Sequence, residues 1–253
     1  MAQPGGPETH EPCLLRSRRD RARSWNLVRP SGRASAQGKP ASPRKTAEGL
    51  VTSIAIHRHE RALTSLTNLP VVDLAIDGVR MLAALEVDST EHGRRLAIDA
   101  GAVTSTGLLH GLWLLPAGLP VPLEHIPSAK RRRLLAAEHF ITVVDEMFER
   151  LYEPAGVVRA VAFTGSVERA LPLALEFTPI VRRYVIAHMA DDADDAVLEL
   201  ARQSGVGLVD VDSDGARLVV DSRIEIGVPA VYRWWITELA YAQWIQESAQ
   251  PVS

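Results

Sequence analysis

The stretch from Pro70 to Asp88 constrains this chain more than any other, because local chemistry alone fixes a strand pairing there. Asp77-Gly78 sits between two apolar-rich runs, and that pair suits a tight hairpin turn whose central residues both need positive φ. Side chains alternate along a strand, so a two-residue loop sets the register by parity. Ile76 then opposes Val79, Ala75 opposes Arg80 and Asp73 opposes Leu82. One face carries Val72, Leu74, Ile76, Val79, Met81, Ala83, Leu85 and Val87, all apolar. The other carries Asp73, Ala75, Arg80, Leu82, Ala84, Glu86 and Asp88. The expectation is that this second face, with three carboxylates, is not needed for the core.

The rest of the chain reads around that hairpin. Residues 1–45 are rich in Arg, Pro, Gly, Ser and Ala without apolar periodicity, and predict a disordered basic tail. They hold ten Arg/Lys against three Asp/Glu, whereas the remaining residues hold 18 against 28, so a net +7 precedes a net −10. The tail reads either as an arm for nucleic acid or another acidic partner, or as a solvated leader, which the composition favours. An acidic body is not the footprint of a domain whose main surface grips nucleic acid. One cysteine, Cys13, excludes an internal disulfide and a thiolate cluster, and points to a reducing, cytoplasmic setting. No secretory leader is expected from residues 1–12, and the apolar run at 107–123 is broken by prolines and too short to span a membrane.

Residues 46–253 read as a single α/β domain with a sub-boundary near 116–128. A helix is expected over 46–66, in which His57 and His59 fall on different faces and make a poor metal pair. Asp88-Ser-Thr-Glu-His-Gly reads as a polar turn, residues 94–115 as helix or strand, and the proline-rich 116–127 as a connection. Ser128 reads as the N-cap of a long helix to about Tyr152, with Lys130–Arg133 basic in its first turn. From Gly156 onward, strand, helix, strand, helix, strand predicts parallel pairing of 157–163, 181–188 and 206–212. Asp191, Asp192, Asp194 and Asp195 open the second of those helices and Gly205 closes it. Pro229 begins a last, Trp-rich helix that reads as core or as a homodimer seam. The fold class is α/β, a mixed sheet flanked by helices.

Three constellations carry chemistry. A hard divalent ion such as Mg²⁺ takes oxygen ligands, and can activate water and neutralise charge at phosphorus. Asp73, Glu86 and Asp88 supply that ligand type from adjacent strands. The order helix, Pro-Val-Val-Asp, then a strand ending Leu-Glu-Val-Asp resembles the core of the PD-(D/E)XK, restriction-endonuclease-like nucleases. The resemblance implies Asp73 as the first acid and Glu86 as the second, these two as the metal ligands, and Asp88 where lysine is usual. Acidic replacement of that lysine is also similar to mismatch-repair endonuclease relatives, and Glu48 or Glu60 would be the extra helix acid. A two-residue loop, however, separates Asp73 from Glu86 by four residues along the strand, on the order of 13 Å. A longer loop (78–81) or a bulge would bring them together.

Asp210-Val-Asp-Ser-Asp-Gly, with Asp221 eleven residues after Asp210, matches the opening of a calcium loop, but a hairpin turn explains the same letters. Thr164-Gly165-Ser166 joins a strand to a helix and reads as a connecting turn or a phosphate site. The leading functional expectation is a metal-dependent, degenerate nuclease-like protein acting on phosphodiesters. The alternative is a non-catalytic α/β module binding a partner protein or small ligand through 156–222. Converging Asp73, Glu86 and Asp88 in a cleft would mark the enzyme; a splayed or buried hairpin would mark the module.

Overall fold

The computed structural model describes residues 57–177, 180–189, 194–224 and 230–249. These belong to one compact unit, Arg44–Ser253. The expected basic tail over 1–45, the first part of the 46–66 helix with Glu48, residues 191–193 and Pro229 lie outside the described residues.

Residues 57–67 form helix α1. The hairpin follows as β1 (Val71–Ile76) and β2 (Val79–Val87). Asp77 (φ 52°) and Gly78 (φ 82°) form the turn, and the pairs Ile76–Val79, Ala75–Arg80 and Asp73–Leu82 fall in the expected register. Then come α2 (Ser89–Ala97), α3 (Thr106–Trp113), β3 (Val121–Pro122), a 3₁₀ turn at Leu123–His125, and α4 (Ser128–Leu135). β4 (Ile141–Val144), β5 (Met147–Arg150), β6 (Gly156–Thr164), α5 (Val167–Glu176), β7 (Arg182–Ala187) and α6 (Asp195–Ser204) follow. β8 (Val206–Val211), β9 (Ala216–Val220) and α7 (Ala230–Ser248) complete the order.

Six strands make one mixed sheet in the order β1-β2-β6-β7-β8-β9. β6, β7 and β8 are parallel, as the strand–helix alternation predicts, and the other pairings are antiparallel. The sheet grows in one direction from β6 to β8, so right-handed crossovers place α5 and α6 on one face. There Val72, Leu74, Met81, Ala83 and Leu85 of the hairpin join Ala170, Leu171 and Ala174 of α5, Ala201 of α6, and Ile236, Ala240 and Tyr241 of α7. Arg183, buried in β7, donates to the carbonyls of Ala174, Phe177 and Ser204. One guanidinium thereby serves the C-terminal ends of both crossover helices, where a cation suits the dipole.

The opposite face corrects the first expectation. Leu82 and Ala84 share the carboxylate-bearing face, yet both are buried with Ala62 and Leu63 of α1 and with Ala160, Ala162 and Tyr184. That face is therefore a second core layer over much of its area, and the carboxylates occupy its margins.

Residues 89–150 are inserted between β2 and β6, which are neighbours in the sheet. The insertion builds its own apolar cluster around Leu109, Leu112, Leu134, Phe140, Ile141 and Phe148, with a three-stranded antiparallel sheet in the order β3-β5-β4. Here the long helix expected over 128–152 is corrected. α4 stops at Leu135 and the chain turns into the β4–β5 hairpin at Asp145-Glu146, both at positive φ (50° and 60°). Ile141, Val144 and Phe148 fit a helical period, but Ile141 and Val143 fit a period of two, and β-branched Ile-Thr-Val-Val favours the strand. Pro127, not Ser128, holds the N-cap position of α4. Similarly, Asp88 and the residues after it are not a free turn but the cap and first turn of α2.

Candidate functional site

The three carboxylates singled out from the sequence have three separate partners. Asp73 pairs with Arg80, its diagonal neighbour across the hairpin. Glu86 pairs with Arg159 on β6. Asp88 caps α2: its Oδ1 accepts from the backbone N–H of Thr90 and of Glu91, both at 2.9 Å. A short polar side chain at this position satisfies donors that the first helical turn leaves without partners.

A bulge does occur in the pairing, but in β6, on the side of β2 away from β1. Ala84 pairs with Ala160 and Leu85 with Val158, so Arg159 is the extra residue of β6. The bulge turns Arg159 toward Glu86 and leaves the β1–β2 register regular. Asp73 and Glu86 thus keep their four-residue offset, on the order of 13 Å at the usual strand rise. Among the described residues, no group of three or more His, Cys, Asp or Glu side chains could hold a metal ion. Asp73 and Glu86 do not fit Mg²⁺ as a shared pair. Glu60, the described candidate for an extra helix acid, pairs with His57 at 3.1 Å.

The Asp-rich run at 210–215 is the β8–β9 turn. Asp212 Oδ1 accepts from the N–H of Asp214 (2.7 Å) and Gly215 (2.9 Å), which holds its carboxyl below the usual range. Asp210 is buried, accepting from Met189 N–H at 2.9 Å and Arg217 at 3.2 Å, while Asp221 accepts from Tyr184 Oη at 3.0 Å. The calcium-loop letters are accounted for by hairpin bonds. Ser166 precedes α5 without capping it through its side chain.

What the sequence did not disclose is a buried ion cluster where α2 and the rest of the inserted unit meet α7. Arg95 and Glu238 are both fully buried. Their forks join by two bonds, Nη1 to Oε2 at 2.7 Å and Nη2 to Oε1 at 2.8 Å. Arg95 Nε donates to Glu91 Oε1 at 2.7 Å, and its remaining hydrogens reach the carbonyls of Gly101 and Glu153. Glu238 also accepts from Tyr152 Oη (2.9 Å) and Val103 N–H (2.7 Å). The rings of Phe140, Tyr152 and Tyr241 lie 5.2–5.5 Å from the guanidinium. Burial opposes charge on Arg95, but the bonds and charges of Glu238 and Glu91 dominate and raise its pKa. Burial, then Glu238, raises that of Tyr152. For Glu91 burial acts upward, yet the hydrogen bonds from Arg94 and Arg95 hold it below the usual carboxylate range. The one available signal was a lone glutamate inside the apolar stripe Ile236–Tyr241 of the last helix.

Two surface cavities, of about 390 and 370 Å³, open beside β1. The first lies between Asp73, Leu74 and Ala75 and the α7 residues Leu239, Ala242 and Gln243. The second lies between Val71 and the α1 residues Glu60, Arg61 and Thr64. Trp113, Leu119, Leu135 and Val144 of the inserted unit are also exposed. No helix among the described residues is long and apolar enough to cross a membrane.

No family model matches the chain, and neither the curated proteins nor the solved structures give a significant match.

Proposed function

We propose that the chain is a degenerate, restriction-endonuclease-like α/β module that does not cleave phosphodiesters and works by binding another protein. The observation that carries this reading is the separate employment of Asp73, Glu86 and Asp88 by Arg80, Arg159 and the N-terminus of α2. A nuclease centre needs converging carboxylates to hold its metal and position water. Here the offset between the two strand acids, set by the hairpin register, argues against convergence. The buried hairpin, with every residue from Met81 to Leu85 inaccessible, supports a scaffold role. Exposed apolar side chains on the inserted unit support a protein partner.

The test is cleavage of single- and double-stranded DNA and RNA by the full chain with Mg²⁺ or Mn²⁺. The expected result is no divalent-dependent cleavage, no calorimetric metal binding, and no gain from Asp88→Lys. Divalent-dependent cleavage abolished by Asp73→Ala or Glu86→Ala, with folding intact, would overturn the proposal and restore the nuclease reading.

A further inference from the structure

The open edge at β1 carries a specific hydrogen-bonding pattern. In a two-residue hairpin the closing pair, Ile76 and Val79, exchanges both backbone bonds, and every second pair repeats this. Leu74–Met81 and Val72–Ala83 are therefore in the bonded class, and the bond from Leu85 N–H to Pro70 O at 2.9 Å continues the same phase. Val71, Asp73 and Ala75 belong to the other class, so their N–H and C=O groups point away from β2. β1 is the terminal strand, and among the described residues none of these groups meets another main-chain group.

The two edges of the sheet differ. β9 has a register shift at Leu208/Val209 and an exposed arginine, Arg217, devices that discourage pairing. β1 has six residues in unbroken register, without proline, lysine or bulge. The two cavities flank this edge, one walled by α7 and the other by α1.

We propose, resting on the protein-binding reading above, that β1 accepts an extended peptide of a partner protein as a seventh strand of the sheet. Such a strand bonds to the outward groups of Val71, Asp73 and Ala75, and its side chains alternate between the two cavities. Those on the α7 side meet Leu74, Leu239 and Ala242, with the charge of Asp73 already matched by Arg80 in the same lining, and should be apolar. Those on the α1 side meet Thr64, Val71, Arg61 and the Glu60–His57 pair, a wall with one arginine against one glutamate, and should be uncharged and polar. The ligand class is thus a segment alternating apolar and uncharged polar residues.

Ala75→Pro tests this without breaking the hairpin, because the N–H it removes points out of the sheet and makes no ladder bond. The probes are eight-residue peptides alternating Val with Thr, Leu with Ser and Ile with Asn, each with a copy N-methylated at alternate residues. The readouts are fluorescence anisotropy and residue-resolved amide exchange of the full chain. At least one unmethylated peptide should bind and slow exchange at Asp73 and Ala75. Its affinity should fall at least tenfold in the methylated copy and in Ala75→Pro, whose thermal unfolding should match the parent. Unchanged exchange at Asp73 and Ala75 with every peptide overturns the proposal. Protection already present in the free chain and lost on deleting residues 1–45 also overturns it, since the chain's own segment would then cover the edge. A dimer in sedimentation that Ala75→Pro dissociates overturns it in favour of a second copy. None of these readouts depends on cleavage, so failure here is distinct from failure of the non-catalytic reading.

Discussion

The hairpin face and the α2–α7 junction both set carboxylates against arginines, with opposite physical consequences. On the hairpin, the Asp73–Arg80 and Glu86–Arg159 pairs lie at the margins of the sheet, where water competes and side-chain entropy opposes each pairing. At the junction, Arg95 and Glu238 have no access to water, and the desolvation cost is met by two parallel bonds plus further donors and acceptors. The first arrangement can be edited with little effect on the fold. The second ties α2 and the rest of the inserted unit to the last helix, and loss of Arg95 leaves the buried Glu238 carboxylate without a counter-charge. Acidic residues in a sequence therefore mean different things according to where the fold places them.

Breaking the comparison at its stronger side should give the largest effect. Arg95→Met should destabilise the protein by about 3–5 kcal/mol, because Glu238 is then buried without its partner. The double variant Arg95→Met/Glu238→Leu should recover much of that loss. Denaturant unfolding of both, as a double-mutant cycle, measures the coupling, and purely additive losses would contradict the assigned network.

Asp88→Ala should cost about 1 kcal/mol through loss of the α2 cap, with Asp88→Asn retaining most of the stability. Thermal or urea unfolding is the measurement. A larger loss shared by both variants would mean that the charge, not the cap, is what matters.

Acid should discriminate the two regions as well. Glu91 has a lowered folded-state pKa, so its contribution is fully present above the ordinary carboxylate pKa and is lost as pH falls through the folded value. Stability measured from pH 7 downward should fall in that acid window, and Glu91→Gln should flatten the slope there. An unchanged slope would remove Glu91 from the linkage.

The smallest effects belong to the hairpin pairs. Asp73→Ala and Glu86→Ala should each change stability by no more than about 0.5–1 kcal/mol, and less at high salt. Losses of several kcal/mol would mean that these pairs are structural in the same sense as the buried cluster.

The course of the hairpin was legible because its determinants are local: a turn that needs positive φ and a period of two that cannot slip without exposing Leu74 and Met81. The parallel order of β6, β7 and β8 was legible for a similar reason, since strand–helix alternation with Asp194 and Gly205 as caps leaves few topologies. The β4–β5 hairpin was not, because Ile141, Val144 and Phe148 satisfy a helical spacing, while the alternation of Ile141 with Val143 is too short to outweigh it. Only contact with α3, α4 and the last helix selects the strand. The candidate site divides in the same way. The sequence by itself put Asp73, Glu86 and Asp88 on the face opposite the apolar side of the hairpin and set the offset that a two-residue loop imposes on the strand acids. The tertiary structure alone decided the partner of Glu86, since Arg159 reaches it only through a bulge in a strand 70 residues later. It also decided that Glu238 meets Arg95, 143 positions away, because a buried charge finds its counter-ion through packing and not through proximity along the chain.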